Sequence, residues 1–212
     1  MGVKANSGIE RAVLTYGYDV LPIGPIRDRG PVSAAFLGLR IDDFRRAARY
    51  VRDLPYGRNA AASDILAVLS ERKGTCSTKP ALLKALADEQ GLPIRLMLGI
   101  YEMNARNTPG IGRVLEEHHL PCMPEAHCYL VHQDRRIDMT RNLDDRDSEP
   151  IARFLIEEEI TTEQIGEYKR SRHRAFMRQW LHRRASLDFD LDQLWRIREQ
   201  CIAALSRISG PD

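Results

Sequence analysis

The change of hydrophobic period at Gly91-Leu92-Pro93 constrains this chain more than any other stretch of it. Before it, Ala81, Leu82, Ala85 and Leu86 recur three and four residues apart, as on one face of a helix. After it, Ile94, Leu96, Leu98 and Ile100 alternate with Arg95, Met97, Gly99 and Tyr101, which is the two-residue period of a strand. Gly91 is a natural helix stop and Pro93 cannot continue one. A helix that turns straight back into a strand points to a helix packed on a sheet, and the rest of the chain is read around that pair.

Downstream, 126–132 and 135–139 read as a hairpin around Gln133-Asp134, and 103–125 as a loop with one helical turn. Upstream, Phe44, Ala47, Ala48 and Val51 have helical spacing after Asp42 and Asp43, with an end near Pro55. Ser63 suits the start of a second helix, with Ile65, Leu66 and Leu69 facing inward. Residues 1–40 are rich in Gly and Pro and read as irregular chain, with one short strand around 12–18. From Glu149 onward the pattern is helical to the end, broken near Ser186, and Leu191, Leu194, Trp195, Cys201, Ile202, Leu205 and Ile208 form an apolar stripe. The expected organisation is an N-terminal extension (1–40), a core (41–148) and a C-terminal helical segment packed on it (149–212).

The helix that ends at Gly91 begins at Gly74-Thr75-Cys76-Ser77-Thr78. A cysteine is a nucleophile only as thiolate, and a helix start favours that form through unpaired N–H groups and the helix dipole. Ser77 and Thr78 can cap, and Pro80 is tolerated in a first turn. In the hairpin, His127, Tyr129 and Val131 share a face, and a turn at 133–134 brings Asp138 opposite residue 129, a diagonal step from His127. Thiol, imidazole and carboxylate in that order are the parts of an acyl-transfer triad: nucleophile, base, and the group that orients the base. For the oxyanion, the Cys76 N–H is the natural first donor and Asn59 or Tyr56 the second.

These residues also carry a resemblance. Tyr50-Val51-Arg52, Tyr56, Ser63-Asp64-Ile65-Leu66, Gly74-Thr75-Cys76, Ala81-Leu82-Leu83-Lys84-Ala85-Leu86, Gly91-Leu92-Pro93-Ile94-Arg95, Gly99-Ile100-Tyr101, His127-Cys128-Tyr129 and Asp138-Met139-Thr140 resemble the core of the transglutaminase-like superfamily over roughly residues 42–141. The resemblance implies an α+β, papain-like fold, with the Cys-bearing helix on a small antiparallel sheet and C-terminal helices added. It implies a Cys76–His127–Asp138 triad that cleaves a peptide or side-chain amide through an acyl-enzyme. Where the family often has an acidic or aromatic pair after the cysteine and a proline after the aspartate, this chain has Ser77, Thr78 and Met139. The same triad would also serve an acyltransferase, by crosslinking or from a thioester. The reading from another class is a non-catalytic protein-binding module.

Composition narrows the rest. Four dispersed cysteines in 212 residues do not make a disulfide scaffold, so free thiols and a cytoplasmic setting are expected. A net charge of +2 singles out no partner, and no apolar run is long enough for a membrane span. His118, His119, Cys122, His127 and Cys128 crowd together but fit no standard zinc spacing, so neither metal nor cofactor is expected, and Cys128, facing away from His127, reads as core. Lys169, Arg170, Arg172, Arg174, Arg178, Arg183 and Arg184 read as a solvated helix face over Phe176, Met177, Trp180 and Leu181 rather than a nucleic-acid surface.

Overall fold

The computed structural model describes residues 18–61, 64–140, 149–184 and 187–208. In chain order they form α1 (Pro31–Gly38), α2 (Phe44–Asp53), the single turn α3 (Ala67–Ser70), α4 (Thr78–Gln90), β1 (Arg95–Met103), α5 (Gly112–Glu117), β2 (Met123–His132), β3 (Arg135–Ile137), β4 (Ile156–Glu159), α6 (Glu167–His182) and α7 (Leu191–Ile208). The class is α+β: one antiparallel sheet in the order β3-β2-β1-β4, with helices on both faces. No helix among the described residues is long and apolar enough to cross a membrane.

The alternation in β1 sorts the two cores. Leu96, Leu98 and Ile100, with Ala126, Cys128 and Leu130 of β2, face α4 and, beyond it, α1 and α2. Tyr101, Met103, Tyr129 and Val131 face Phe154, Met177, Trp180 and Leu194 from the C-terminal part of the chain. Helix α4 is buried nearly all round, with Ala81, Leu82, Leu83, Leu86 and Ala87 all inaccessible, as befits a helix sandwiched between other helices and the sheet. It ends, as the sequence predicts, on Gly91 in the left-handed conformation (φ 68°), whose neighbour Leu92 donates to Ala87 O at 2.8 Å.

Two polar side chains of α4 also hold its neighbours. Glu89 accepts from the N–H groups of Val32 and Ser33 (2.9 and 2.6 Å) and so closes the start of α1. Buried Lys79 donates to Arg52 O (2.9 Å) and Leu54 O at the end of α2.

The structure corrects the sequence reading in two places. Residues 31–38 are helical within the supposedly irregular extension, because Pro31 lies at the first helical position, where its missing N–H is no loss. The segment after Glu149 is not helical throughout: Ile156–Glu159 pairs with β1 as an edge strand, Met97 opposite Glu159 and Ile100 opposite Ile156. Three consecutive glutamates favour a helix locally, but the free edge of β1 offers backbone partners that outweigh propensity. The strand expected around 12–18 and the cap at Ser63 lie outside the described residues, except that Tyr18 opens a 3-10 turn. The loop after β1 holds α5, and β2 starts at Met123.

Candidate active site

Cys76 sits just ahead of α4, on a turn held by Thr75 and Thr78; of the two expected caps, Ser77 plays no part. Ser77 already has helical backbone angles, so it cannot cap; Thr75 does so instead, its hydroxyl accepting from the N–H groups of Ser77 (3.2 Å) and Thr78 (3.3 Å). Thr78 accepts from Thr75 N (2.9 Å) and donates to Asn59 Oδ1 (3.0 Å). The Cys76 N–H, by contrast, has no hydrogen-bond partner among the described residues.

The hairpin delivers the other two groups. Gln133 and Asp134 both adopt positive φ (48° and 58°), the geometry of a tight two-residue turn. The register then runs His132–Arg135, Val131–Arg136 and Leu130–Ile137, so Asp138 continues opposite Tyr129. From there its Oδ2 meets His127 Nε2 at 3.0 Å. Its Oδ1 accepts from Thr140 N (2.9 Å) and Thr140 Oγ1 (2.7 Å), and its main-chain carbonyl accepts from Tyr18 Oη (3.0 Å). The threonine two residues after the aspartate thus orients the carboxylate. With Nε2 engaged, Nδ1 remains for Cys76, and the two groups act on each other's charge: the ring lowers the thiol and the thiol raises the ring.

All three groups are buried, Asp138 completely. Burial alone would push the thiol up, but the Lys169 ammonium and the His127 ring outweigh it and hold Cys76 at about 6. Burial pushes His127 down, and Asp138 and then Cys76 bring it up to about 9. Between those values the pair rests as thiolate and imidazolium.

Cys76 opens onto a cavity of about 510 Å³ lined by Tyr56, Lys169, His173, Trp195 and Arg198. A second depression of about 1000 Å³ shares Tyr56, Arg58, Glu199 and Ile202 with it. Of the two expected oxyanion donors, Tyr56 lines the same cavity as Cys76, and burial and then the Cys76 charge push its phenol well up. Asn59 does not serve, although it borders the cavity. Its amide nitrogen donates to Ala67 O (3.2 Å) and Lys73 O (3.0 Å), which occupies both hydrogens in pinning the loop before Cys76.

Sequence reasoning missed the far wall of the cavity. Lys169, assigned to a solvated face, is buried; its Nζ donates to Ser77 Oγ (2.6 Å) and Cys76 Sγ (3.5 Å). Glu125 is buried under α7, where Arg198 grips it with two bonds of 2.6 and 2.8 Å and holds its carboxyl down to about 2 against burial. His173 also lines the cavity; its Nε2 lies 2.9 Å from Pro124 O, and burial lowers its pKa. No spacing rule links residues 169 and 198 to residue 76; only the α-helical period of 169, 173, 176, 177 and 180 hinted that Lys169 shares the inward face. Among the described residues no group of three or more His, Cys, Asp or Glu could hold a metal ion. Cys128 packs in the core under α4, and burial raises its thiol to about 11. No family model, no curated protein and no solved structure matches the chain.

Proposed function

We propose that this chain is a transglutaminase-like cysteine hydrolase with a papain-like core, cleaving an amide through an acyl-enzyme on Cys76. The reading is supported by one juxtaposition: a thiol at a helix start that borders an open cavity, and an imidazole that acts on its charge and is itself hydrogen-bonded to a carboxylate, although the three are scattered over residues 76, 127 and 138.

The chemistry follows from the charges. The Cys76 thiolate attacks the amide carbonyl; the C–S bond forms and the carbonyl electron pair moves to oxygen, where the unpaired Cys76 N–H receives it. His127, protonated at rest, gives its proton to the departing amine as the tetrahedral adduct collapses. Now neutral, His127 takes a proton from water, which attacks the thioester and returns the thiolate. Asp138 stays ionised and keeps Nδ1 aimed at the sulfur.

The test is trapping. Protein incubated with a mixed peptide and side-chain amide library and quenched in acid should carry an acyl mass on the tryptic peptide containing Cys76, and Cys76→Ala protein should carry none. Acylation confined to other cysteines, or indifferent to the substitution, removes the hydrolase reading. Release of the acyl group to water rather than to an added amine separates hydrolysis from acyl transfer.

A further inference from the structure

Lys169 stands in the first turn of α6, where the helix dipole disfavours a cation, and it is buried. A buried ammonium requires a partner. The other lysine buried among the described residues, Lys79, has main-chain carbonyls for partners, and burial lowers it to about 8. Lys169 differs in both respects. No carboxylate lies within ion-pair distance of it among the described residues; the charge of Glu125 reaches it only from farther away, and that carboxylate is held by Arg198. Its two bonds go to the Ser77 hydroxyl and to the sulfur of Cys76.

We propose that Lys169 is a catalytic residue of the Cys76 site, an ammonium that holds the thiolate at rest and donates to the oxyanion when the sulfur is acylated. The inference rests on the hydrolase reading above and adds to it a fourth group that the triad does not contain. The oxygen of a thiolate adduct lies two bonds from sulfur, so a cation already touching the sulfur can follow the charge from one atom to the other. With both Asn59 hydrogens occupied, Cys76 N–H and Lys169 Nζ are the donors that lie at the sulfur itself, and Tyr56 lines the same cavity. Lys169 gains and loses no proton: the one that leaves with the amine comes from His127, and the one released by the attacking water returns to it.

The acyl-enzyme is the stage at which this matters most. There the sulfur is uncharged and the ammonium lacks its anion; the oxyanion of deacylation restores one, so the interaction is stronger in the transition state than in the ground state before it. The charged and titratable groups facing Lys169 are Cys76 and Ser77 ahead of α4, Glu125 and Cys128 of β2, and Arg198 of α7. Burial pushes the ammonium down, Cys128, Cys76 and Glu125 pull it up and Arg198 opposes them, and the balance is upward.

Two small probes separate the roles without knowledge of the substrate. Iodoacetamide alkylates sulfur by displacement and forms no oxyanion; p-nitrophenyl acetate acylates it and does. In wild-type protein the Cys76 alkylation rate should rise through a midpoint near 6. Lys169→Met should move that midpoint up by about one pH unit or more, a tenfold loss of rate below it. At a pH above both midpoints, the ratio of acylation to alkylation rates should still fall about tenfold or more in Lys169→Met, because an oxyanion donor is gone. Ser77→Ala, which keeps the charge and removes only the hydroxyl that fixes it, should shift both readouts in the same direction by less, and it serves if Lys169→Met does not fold. An unchanged midpoint and ratio in these variants, with His127→Ala alone raising the midpoint to the ordinary thiol range, overturns the role of Lys169 and leaves the Cys–His reading standing. A Cys76 midpoint in the ordinary thiol range already in wild-type protein overturns both.

Discussion

At the scale of single residues, burial and charge act against one another throughout the candidate site. Burial alone would leave Cys76 a thiol and His127 a neutral ring; Lys169 and Asp138 reverse both outcomes. Activity toward an amide should therefore rise as pH passes about 6, where the thiolate appears, and fall as pH passes about 9, where His127 loses the proton that the leaving amine needs. A plot of kcat/KM against pH checks both limbs, and a flat profile between pH 5 and 7 would contradict the first. Asp138→Asn keeps the shape of the carboxylate and removes its charge, so the His127 ring should titrate lower and kcat/KM should drop on the order of 10³–10⁴-fold. Histidine NMR together with steady-state rates reads both effects; a loss under tenfold would make Asp138 a packing residue only. These three residues were legible in the chain because chemistry restricts their types and because β pairing has period two. Lys169 was not: the helical period aligns it with the inward residues 173, 176, 177 and 180, but nothing local says that this face closes over residue 76.

At the scale of elements, the sheet depends on a close approach that the sequence registers only as a glycine in a strand. A Cβ on Gly99 would lie 2.3 Å from Phe154 Cδ1, so the ring needs the space a side chain would take. That ring stacks on Tyr129 (centroids 4.8 Å apart), whose own ring lies beside His127. Gly99→Ala should cost about 1–3 kcal/mol in thermal or urea unfolding. Phe154→Leu in the same chain should recover part of the loss, a positive coupling that a double-mutant cycle measures. Additive losses would mean that the two residues do not compete for one space. The β4 misreading belongs at this scale too. Glu157 and Glu158 look helical in isolation, yet in place they bond Tyr129 and Arg136 (2.6 Å), and Tyr168 (3.0 Å) and Arg172 (2.8 Å), so the charged edge strand is tied to its neighbours at every turn. Those partners are between 10 and 28 residues away, beyond the reach of any local pattern.

At the scale of the whole molecule, a buried ion pair helps to join the C-terminal helices to the sheet. Glu125 of β2 and Arg198 of α7 have side chains only 5% and 11% exposed. Removing one partner strands the other charge, so Arg198→Met should cost about 3–5 kcal/mol at neutral pH. The sign with pH distinguishes this from lost packing. In the wild type Glu125 has its carboxyl depressed from 4.5 to about 2, so its contribution is whole above pH 4.5 and is lost as pH falls through 2. In Arg198→Met the stranded carboxylate gains by taking a proton, so that variant should recover stability as the pH is lowered from 7 toward 5, while wild type does not. Parallel melting curves across that range would refute the pairing argument. The α4–β1 unit, the hairpin, and the order of thiol, imidazole and carboxylate could all be read along the chain, because each follows from a periodicity or a side-chain chemistry that operates over a few residues. That α6 and α7 close over the sulfur, that Lys169 rather than an arginine beside it meets Cys76, and that Asn59 is occupied elsewhere emerge from the folded chain alone. Those outcomes turn on which faces of distant helices come together, and burial energy selects among them only once the whole chain has collapsed on both sides of the sheet.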